Sequence, residues 1–421
     1  MRFCFLFFPL FISSFCFSQI KDIQKTEIIK TNNGFQLLRN GVPYYIKGAG
    51  GTEYLDILKS IGGNSIRTWS TGNAKKVLDE AYANGISVCL GLWVGHERHG
   101  FNYNDEYAIA SQLKAFEKEI VKYKDHPALL MWAVGNEVDL FYKNFRVWNA
   151  VEEIAKMIKE IDPYHPTMTV TAGIDPAEVF MIKNSCPSID ILGINTYGGI
   201  KHVSDAVRMY GWDKPYIVTE WGPYGHWESP MTKWGVAVEA TSKEKAEFRD
   251  LAYKSIVEDE KLCLGSYAFL WGHKQEQTPT WYGLFTKDGN ATQSIDVLND
   301  YWANNDRNRA PILHSFLLNN QDKKESVKLK RGEDCIFTYE VTDPEGDSLK
   351  YIFELMPEST DKKSGGDFEK TPEPVSFKVV NKSNNKIVIK TPLRSGPYRF
   401  FIYIRDNNKN VATANIPFYV K

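Results

Sequence analysis

Apolar runs alternate with stretches of helical period through much of the chain. The runs lie at 44–49, 64–69, 86–94, 128–138, 167–171, 189–197, 216–220 and 264–271. They are near-continuous rather than alternating, the pattern of strands covered on both faces in a parallel sheet. Between them, Ile109, Leu113, Phe116 and Ile120 recur at helical spacing, as do Val147, Val151, Ile154, Ile158 and Ile161. Thr241 and Glu244 fit a capping box that opens another helix. Eight strand–helix units over roughly 270 residues predict a (β/α)8 TIM barrel. A doubly wound open sheet is the weaker alternative, because no glycine-rich phosphate loop follows the first run. Ahead of that run, Asn33-Gly34 and Asn40-Gly41 are turn signals that predict a short hairpin within 28–45.

The pattern changes near Asn308-Arg309-Ala310-Pro311. Beyond it, short alternating runs take over at 335–341, 350–355, 375–380, 386–390, 398–404 and 416–420. Asp343-Pro344-Glu345-Gly346-Asp347 is a turn signal between two of them. About 110 residues of such strands predict a small all-β, immunoglobulin-like sandwich. The polar stretch from Ser359 to Pro374 reads as a long exposed loop. The aromatics of 398–403 alternate as strand residues do, which favours a structural role for this domain over glycan binding. The expected division is a signal peptide at 1–18, an α/β barrel with its hairpin at 19–307, and the sandwich at 308–421.

Composition narrows the function. Net charge is -1, so there is no basic excess and nucleic acid is excluded as a partner. The 11 Trp and 22 Tyr supply stacking surface for sugars, although most Trp in a large domain are core. Arg2, the apolar stretch 4–17 and Ser18 form a secretion signal cut ahead of Gln19. A lipoprotein would use Cys16, but bulky Phe15 precedes it. No later run is long enough to span a membrane. An exported protein, periplasmic, extracellular or at the cell surface, is expected. Cys89, Cys186, Cys263 and Cys335 remain after the signal, with no C-x-x-C, which predicts neither a metal site nor a disulfide. Nothing calls for a cofactor, and oligomeric state has no signature in the sequence.

Two carboxylates stand out against this pattern. Glu137 closes the run that begins at Ala128, and Glu220 closes the run that begins at Pro215. Barrel enzymes keep their chemistry at the carboxyl ends of strands. Cleaving a glycosidic bond needs a proton donor for the leaving oxygen and, in a retaining enzyme, a carboxylate nucleophile about 5–5.5 Å away. By strand count the two glutamates end strands four and seven, which face each other across the mouth. Taken singly, each could be a helix cap or a surface residue; the pair, each with a flanking Trp, argues otherwise.

Trp132-Ala133-Val134-Gly135-Asn136-Glu137 and Val218-Thr219-Glu220-Trp221-Gly222 resemble the acid/base and nucleophile motifs of the clan A retaining glycoside hydrolases. The resemblance covers the barrel and implies that Glu137 is the general acid/base and Glu220 the nucleophile. It implies that Asn136 holds the sugar 2-hydroxyl and that Arg67 and Tyr197 orient Glu220. Trp271, at the end of strand eight, would floor the sugar. Each has a plainer reading, as a structural ion pair for Arg67 and as core for Tyr197 and Trp271. His96 and His99 would bond sugar hydroxyls or shape their loop. His96-Glu97-Arg98-His99 is one residue short of a zincin motif, so zinc is not expected. Trp227, Trp234 and Trp281 are stacking or loop-packing candidates. Desolvation and the charge on Glu220 should raise the Glu137 pKa, while Glu220 beside Arg67 stays ionised.

The order of signal, barrel and sandwich is similar to glycoside hydrolase family 158, which implies endo action on a β-glucan polysaccharide, the β-1,3-linked laminarin. One alternative is an exo-acting clan A β-glycosidase on β-glucosides, β-mannosides or β-galactosides. Another is a catalytically silent carbohydrate-binding protein, against which the intact Glu137, Glu220, Arg67 and Asn136 argue.

Overall fold

Eight strands close into a parallel barrel in the computed structural model, which describes residues 24–421. They are β1 (Ile46–Gly50), β2 (Ser65–Arg67), β3 (Ser87–Leu92), β4 (Leu129–Val134), β5 (Thr167–Ala172), β6 (Ile191–Asn195), β7 (Tyr216–Trp221) and β8 (Cys263–Ala268). Each pairs with the next, and β8 pairs with β1 to close the ring. The signal segment 1–18, with Cys4 and Cys16, lies outside the described residues. Cys89, Cys186, Cys263 and Cys335 are buried free thiols. No helix among the described residues is long and apolar enough to cross a membrane.

The near-continuous apolar runs follow from burial on two sides. Along β4, Met131 and Ala133 join the inner cluster with Met168, Val170 and Ile217, while Trp132 and Val134 join the outer cluster with the helices. Those helices are α1 (Leu55–Ser60), α2 (Ala74–Ala83), α3 (Glu106–Tyr123), α4 (Arg146–Ile161), α5 (Pro176–Ser185), α6 (Val203–Met209), α7 (Ser242–Val257) and α8 (Gln293–Trp302). On α4, Val147, Val151, Ile154 and Ile158 form the buried stripe that the sequence spacing predicts. Asp105 caps α3 through the Tyr107 and Ala108 N–H groups, and the Thr241–Glu244 capping box opens α7. The early hairpin is a three-stranded sheet, Thr26–Thr31, Gly34–Arg39 and Val42–Pro43. Its Leu37, with Ile28 and Phe35, packs on the inner barrel cluster.

A two-sheet β-sandwich follows. One sheet runs β9 (Ile312–Leu318), β10 (Asp334–Thr342), β13 (Lys386–Lys390) and β12 (Val379–Ser383); the other centres on β11 (Lys350–Pro357), β14 (Gly396–Arg405) and β15 (Asn410–Val420). Phe337 of the first sheet stacks on Phe400 of the second at 4.1 Å. β12 begins four residues later than the run at 375–380 suggests, because before it only single backbone bonds, such as Val375 N–H to Leu355 O, hold the chain.

β14 is buried on both faces. Phe400, Ile402 and Ile404 fill the sandwich core, while Arg399 turns the other way and donates to Ala237 O of the barrel at 2.9 Å. Asn415 of β15 reaches Glu239 at 2.5 Å, and the Thr413 N–H reaches Ser242 Oγ at 3.0 Å. The segment 359–374 is for the most part the exposed loop that its polarity suggests. Ser359 and Glu369 are buried within it, and the tip lies against the barrel mouth. Asp367 and Glu369 find partners on the barrel, a contact that polarity alone does not reveal.

Candidate active site

Strand ends bring the polar residues of the mouth together. Arg67 ends β2, Asn136 and Glu137 follow β4, Asn195 ends β6, and Glu220 lies near the end of β7. Arg67 is fully buried, and its Nη1 donates to Glu220 Oε1 at 2.9 Å and to Thr219 O at 3.1 Å. Its Nη2 donates to Asn136 Oδ1 at 2.6 Å. Trp69 Nε1 donates to Glu220 Oε1 at 2.7 Å, and the Tyr197 hydroxyl donates to Oε2 at 3.2 Å. Glu220 thus accepts three side-chain bonds, one of them from a cation.

Glu137 is served differently. Its one side-chain donor is Asn195 Nδ2 at 2.8 Å, which also donates to Asn136 Oδ1 at 3.1 Å. Thr219 Oγ1 fixes that amide by donating to Asn195 Oδ1 at 2.9 Å. With Asn136 Oδ1 taken by Arg67 and Asn195, the donor that Asn136 can offer the cleft it lines is its amide nitrogen. Burial, and then the charge on Glu220, push the Glu137 carboxyl up to about 7, while the Asn195 bond pulls the other way. The Glu137 backbone sits at φ +50°, a left-handed conformation that a non-glycine residue rarely adopts. Its N–H is tied to Val170 O at 2.9 Å, so the strain is locked in by β5. Nearby Asp139, which accepts from the Ala172 N–H, is likewise pushed up to about 7 by burial.

A cleft of about 900 Å³ opens over these groups. Of the residues singled out in the sequence, Glu137, Glu220, Asn136, Tyr197 and Trp227 line it, and Arg67 supports it from behind Glu220. Trp271 is not its floor. β8 ends at Ala268, the chain turns, and Phe269 and Leu270 face the cleft instead. Trp271 is buried against Phe285 with its Nε1 on Glu53 O at 2.7 Å. Trp281 is also buried, holding Tyr224 O at 3.0 Å and so bracing the loop after β7. Trp234 packs on Tyr419 of the sandwich, with ring centres 5.9 Å apart. None of these three tryptophans lines the cleft.

His96 is buried, stacked between Trp93 at 4.6 Å and His99 at 5.2 Å. Its Nδ1 accepts from Arg98 Nε at 3.1 Å, and burial, then Arg98, lower its pKa to about 4, so it is neutral. His99 bonds Asp367 of the sandwich at 3.0 Å. The two histidines therefore shape the loop and present Trp93, which does line the cleft and is 37% exposed.

Sequence reasoning missed Trp69, Trp93, Asn195 and the glycine-rich tip at Ser364–Gly366, all of which line the cleft. Asn195 had a signal, a polar residue inside an apolar run. The tip had none, since its neighbours are far away in the chain.

Residues 54–229 match the family described as glycosyl hydrolases family 2, TIM barrel domain. The chain is similar to a β-glucuronidase of Paenibacillus borealis, 27% identical over 228 residues, which cover 45% of this chain and 37% of that protein. The β-glucuronidase of Homo sapiens is 23% identical over 219 residues, covering 44% of this chain and 32% of that one. Among solved structures, Bacteroides uniformis β-glucuronidase superposes with a TM-score of 0.53 at 14% identity, covering 94% of this chain and 48% of that one. The β-D-glucuronidase of Dictyoglomus thermophilum gives 0.52 at 18% identity, covering 67% and 54%. The chain therefore spans about half or less of the length of these relatives. These likenesses support the clan A glycoside hydrolase fold for the barrel, and they do not single out family 158.

Proposed function

We propose that the chain is a retaining, exo-acting β-glycosidase. The observation that carries this reading is the unequal treatment of two carboxylates in one cleft. Glu220 receives Arg67, Trp69 and Tyr197; Glu137 receives one amide and is pushed up to about 7. A carboxylate held charged suits nucleophilic attack on the anomeric carbon, and a carboxyl still protonated near neutral pH suits proton donation to the leaving oxygen. In the first step a Glu220 carboxylate oxygen bonds to the anomeric carbon as the glycosidic bond breaks, and Glu137 gives its proton to the leaving oxygen. In the second, Glu137 takes a proton from water, the water oxygen attacks the same carbon, and Glu220 leaves.

The relatives named β-glucuronidase favour exo action. A neutral sugar is favoured over a glucuronide by charge. Among the described residues that line the cleft, Lys274 is the one lysine or arginine, and its Nζ already donates to Glu276 at 2.8 Å and to Gly366 O at 2.6 Å. Glu228 and Glu276 add to the negative character of the lining. The second reading, endo action on β-1,3-glucan, draws on Trp93 and Trp227, which follow opposite strands, β3 and β7, and are 37% and 59% exposed. These could stack on further sugars of a chain. Export remains part of the proposal, on the strength of the sequence at 1–18.

Hydrolysis of aryl β-glucoside, β-galactoside, β-mannoside and β-glucuronide, with product analysis on laminarin, tests these readings together. One small product from laminarin and preference for a neutral aryl glycoside are expected. Early mixed oligosaccharides move the assignment to the endo reading, and preference for the glucuronide overturns the charge argument.

A further inference from the structure

The sandwich reaches into the cleft. Ser364, Gly365 and Gly366 line it, beside residues that all come from the barrel. Two barrel regions grip this tip. After β3, Arg98 donates to Ser364 O at 3.2 Å, to Gly365 O at 3.2 Å and to Asp367 Oδ2 at 2.8 Å, and His99 meets the same carboxylate at 3.0 Å. After β8, Lys274 donates to Gly366 O at 2.6 Å, and the Gln277 N–H donates to Glu369 Oε2 at 2.7 Å. Glu369 is buried, and its other oxygen accepts from the Lys363 N–H at 2.9 Å, which ties the base of the segment to itself.

Close approach explains the glycines. A Cβ on Gly365 would stand 2.7 Å from Leu140 Cδ2 and 2.9 Å from Arg98 Cζ, and the backbone there has φ +63°. β8, β1, β2 and β3 are consecutive round the barrel, so the segment bridges the rim on the side where Trp69 sits. The sandwich that carries it is fixed in turn, since Arg399 binds both Glu358, just ahead of the segment, and Ala237 O of the barrel, each at 2.9 Å.

We propose that the segment 361–370 is a specificity-determining wall: it closes one side of the cleft, so that a glycan enters by its end and internal bonds are kept from Glu137 and Glu220. The proposal rests on the glycosidase reading and deepens it, because exo action becomes a property of the sandwich rather than of the barrel. Asp367 is a positioning residue, since it acts by holding Ser364–Gly366 against Arg98 and His99. A chain arriving from the closed side meets the tip's backbone, whose carbonyls are already engaged by Arg98 and Lys274.

The test compares the full-length parent, Asp367→Ala, Asp367→Glu and a deletion of 362–368, on an aryl β-glucoside and on β-1,3-gluco-oligosaccharides from disaccharide to hexasaccharide. In Asp367→Ala, kcat/KM for the aryl glucoside should stay within about threefold, because the groups round Glu220 are untouched; the deletion, which removes cleft-lining residues, is read on the oligosaccharides alone. KM for the hexasaccharide should fall by roughly tenfold with kcat held, and products of internal cleavage should appear. Asp367→Glu keeps the charge and should keep the parent's pattern. The proposal is overturned if the chain-length profile stays that of the parent, or if all substrates lose rate in step. A parent that hydrolyses no member of the panel removes the glycosidase reading. The wall is then decided by amide exchange, where protection of 361–370 by hexasaccharide supports it and unchanged exchange overturns it.

Discussion

Glu137 and Glu239 are both carboxylates taken out of bulk water, one at the barrel mouth and one where the barrel meets the sandwich. At the interface, Glu239 accepts from Lys245 at 2.5 Å, Thr278 at 2.5 Å, Thr280 at 2.7 Å and Asn415 at 2.5 Å. A second pair, Arg399 with Glu358 at 2.9 Å, lies beside it, so acids and bases match two against two. At the mouth, Glu137 and Glu220 share the single cation Arg67. Burial penalises both carboxylates in the same sense. At Glu239 it is outweighed by Lys245 and the hydroxyl donors, and the carboxyl titrates below its usual value. Burial draws the Lys245 ammonium down as well, but Glu239 and Thr280 O both favour its charged form, and the ion pair is the state this geometry holds. At Glu137 nothing of that strength opposes burial, and the carboxyl goes up. A buried cluster balanced in charge fastens two domains; one left short of a cation keeps a proton ready near neutral pH.

The largest effect should come from removing the charged member of the unbalanced cluster. Glu220→Ala should cut kcat/KM for an aryl β-glycoside on the order of 10³-fold or more while leaving the fold intact. Azide, a small nucleophile that fits the vacated space, should restore turnover and yield a glycosyl azide. Full activity in Glu220→Gln would remove the nucleophile from this account. The same kind of change in the balanced cluster should act on folding instead. Glu239→Ala strands Lys245 in the interface, and taking one partner from a buried pair typically costs about 3–5 kcal/mol. Denaturant unfolding measures this, and a loss below about 1 kcal/mol would mean that the interface is wetter than its geometry indicates.

The two clusters were unequally legible in the sequence. Glu137 and Glu220 stand out as a pair, because either alone could be a helix cap or a surface residue, while two that end two long apolar runs beside a Trp are hard to explain so. The strand count then fixes their relation, since barrel topology turns sequence order into position round a ring. Arg67, Asn136 and Tyr197 stand at strand ends by the same count, and the clan A resemblance is what implied their roles. Trp271 does not, because the chain turns after Ala268 and a residue three positions past a strand end no longer points where the strand does. Glu239 and Asn415 were invisible for a different reason. Each interrupts a short apolar stretch, Val236–Val238 before the one and Ala414 to Phe418 round the other, and their contact joins the two domains, which lie far apart in the chain. In 361–370 the polarity rightly reads as exposure for most residues, and what the sequence hides is that the tip and Asp367 meet Arg98, His99 and Lys274.

Titration separates the clusters more finely, because their slopes have opposite signs. Glu137 is raised in the folded state to about 7, above its unfolded value, so the native state holds the extra proton between the two. Stability on its account falls as pH rises through that window and is level above it. Glu239 is lowered, so its contribution is present above the unfolded carboxylate pKa and is lost as pH falls through the folded one. Glu137→Gln removes the first slope. The variant should gain stability over the parent between about pH 5 and 7 and show a constant advantage above. In the parent, kcat/KM should fall as pH rises through about 7, as Glu137 loses the proton it must donate. Unfolding midpoints of parent and variant across pH check the stability difference; a gap that does not widen with pH would mean that Glu137 is not the proton holder.

The smallest effect discriminates best among the donors to Glu220. Tyr197 gives the longest of the three bonds, 3.2 Å against 2.9 Å from Arg67 and 2.7 Å from Trp69. Tyr197→Phe keeps the ring, which packs edge-on against Trp227 at 5.4 Å, and removes only the hydroxyl. One hydrogen bond to a charged group at this length should be worth roughly tenfold in kcat. Because Glu220 keeps Arg67 and Trp69, the loss should stop well short of that in Glu220→Ala, and steady-state kinetics of the two variants side by side check it. A loss as large as that of Glu220→Ala would place Tyr197, rather than Arg67, as the main support of the nucleophile.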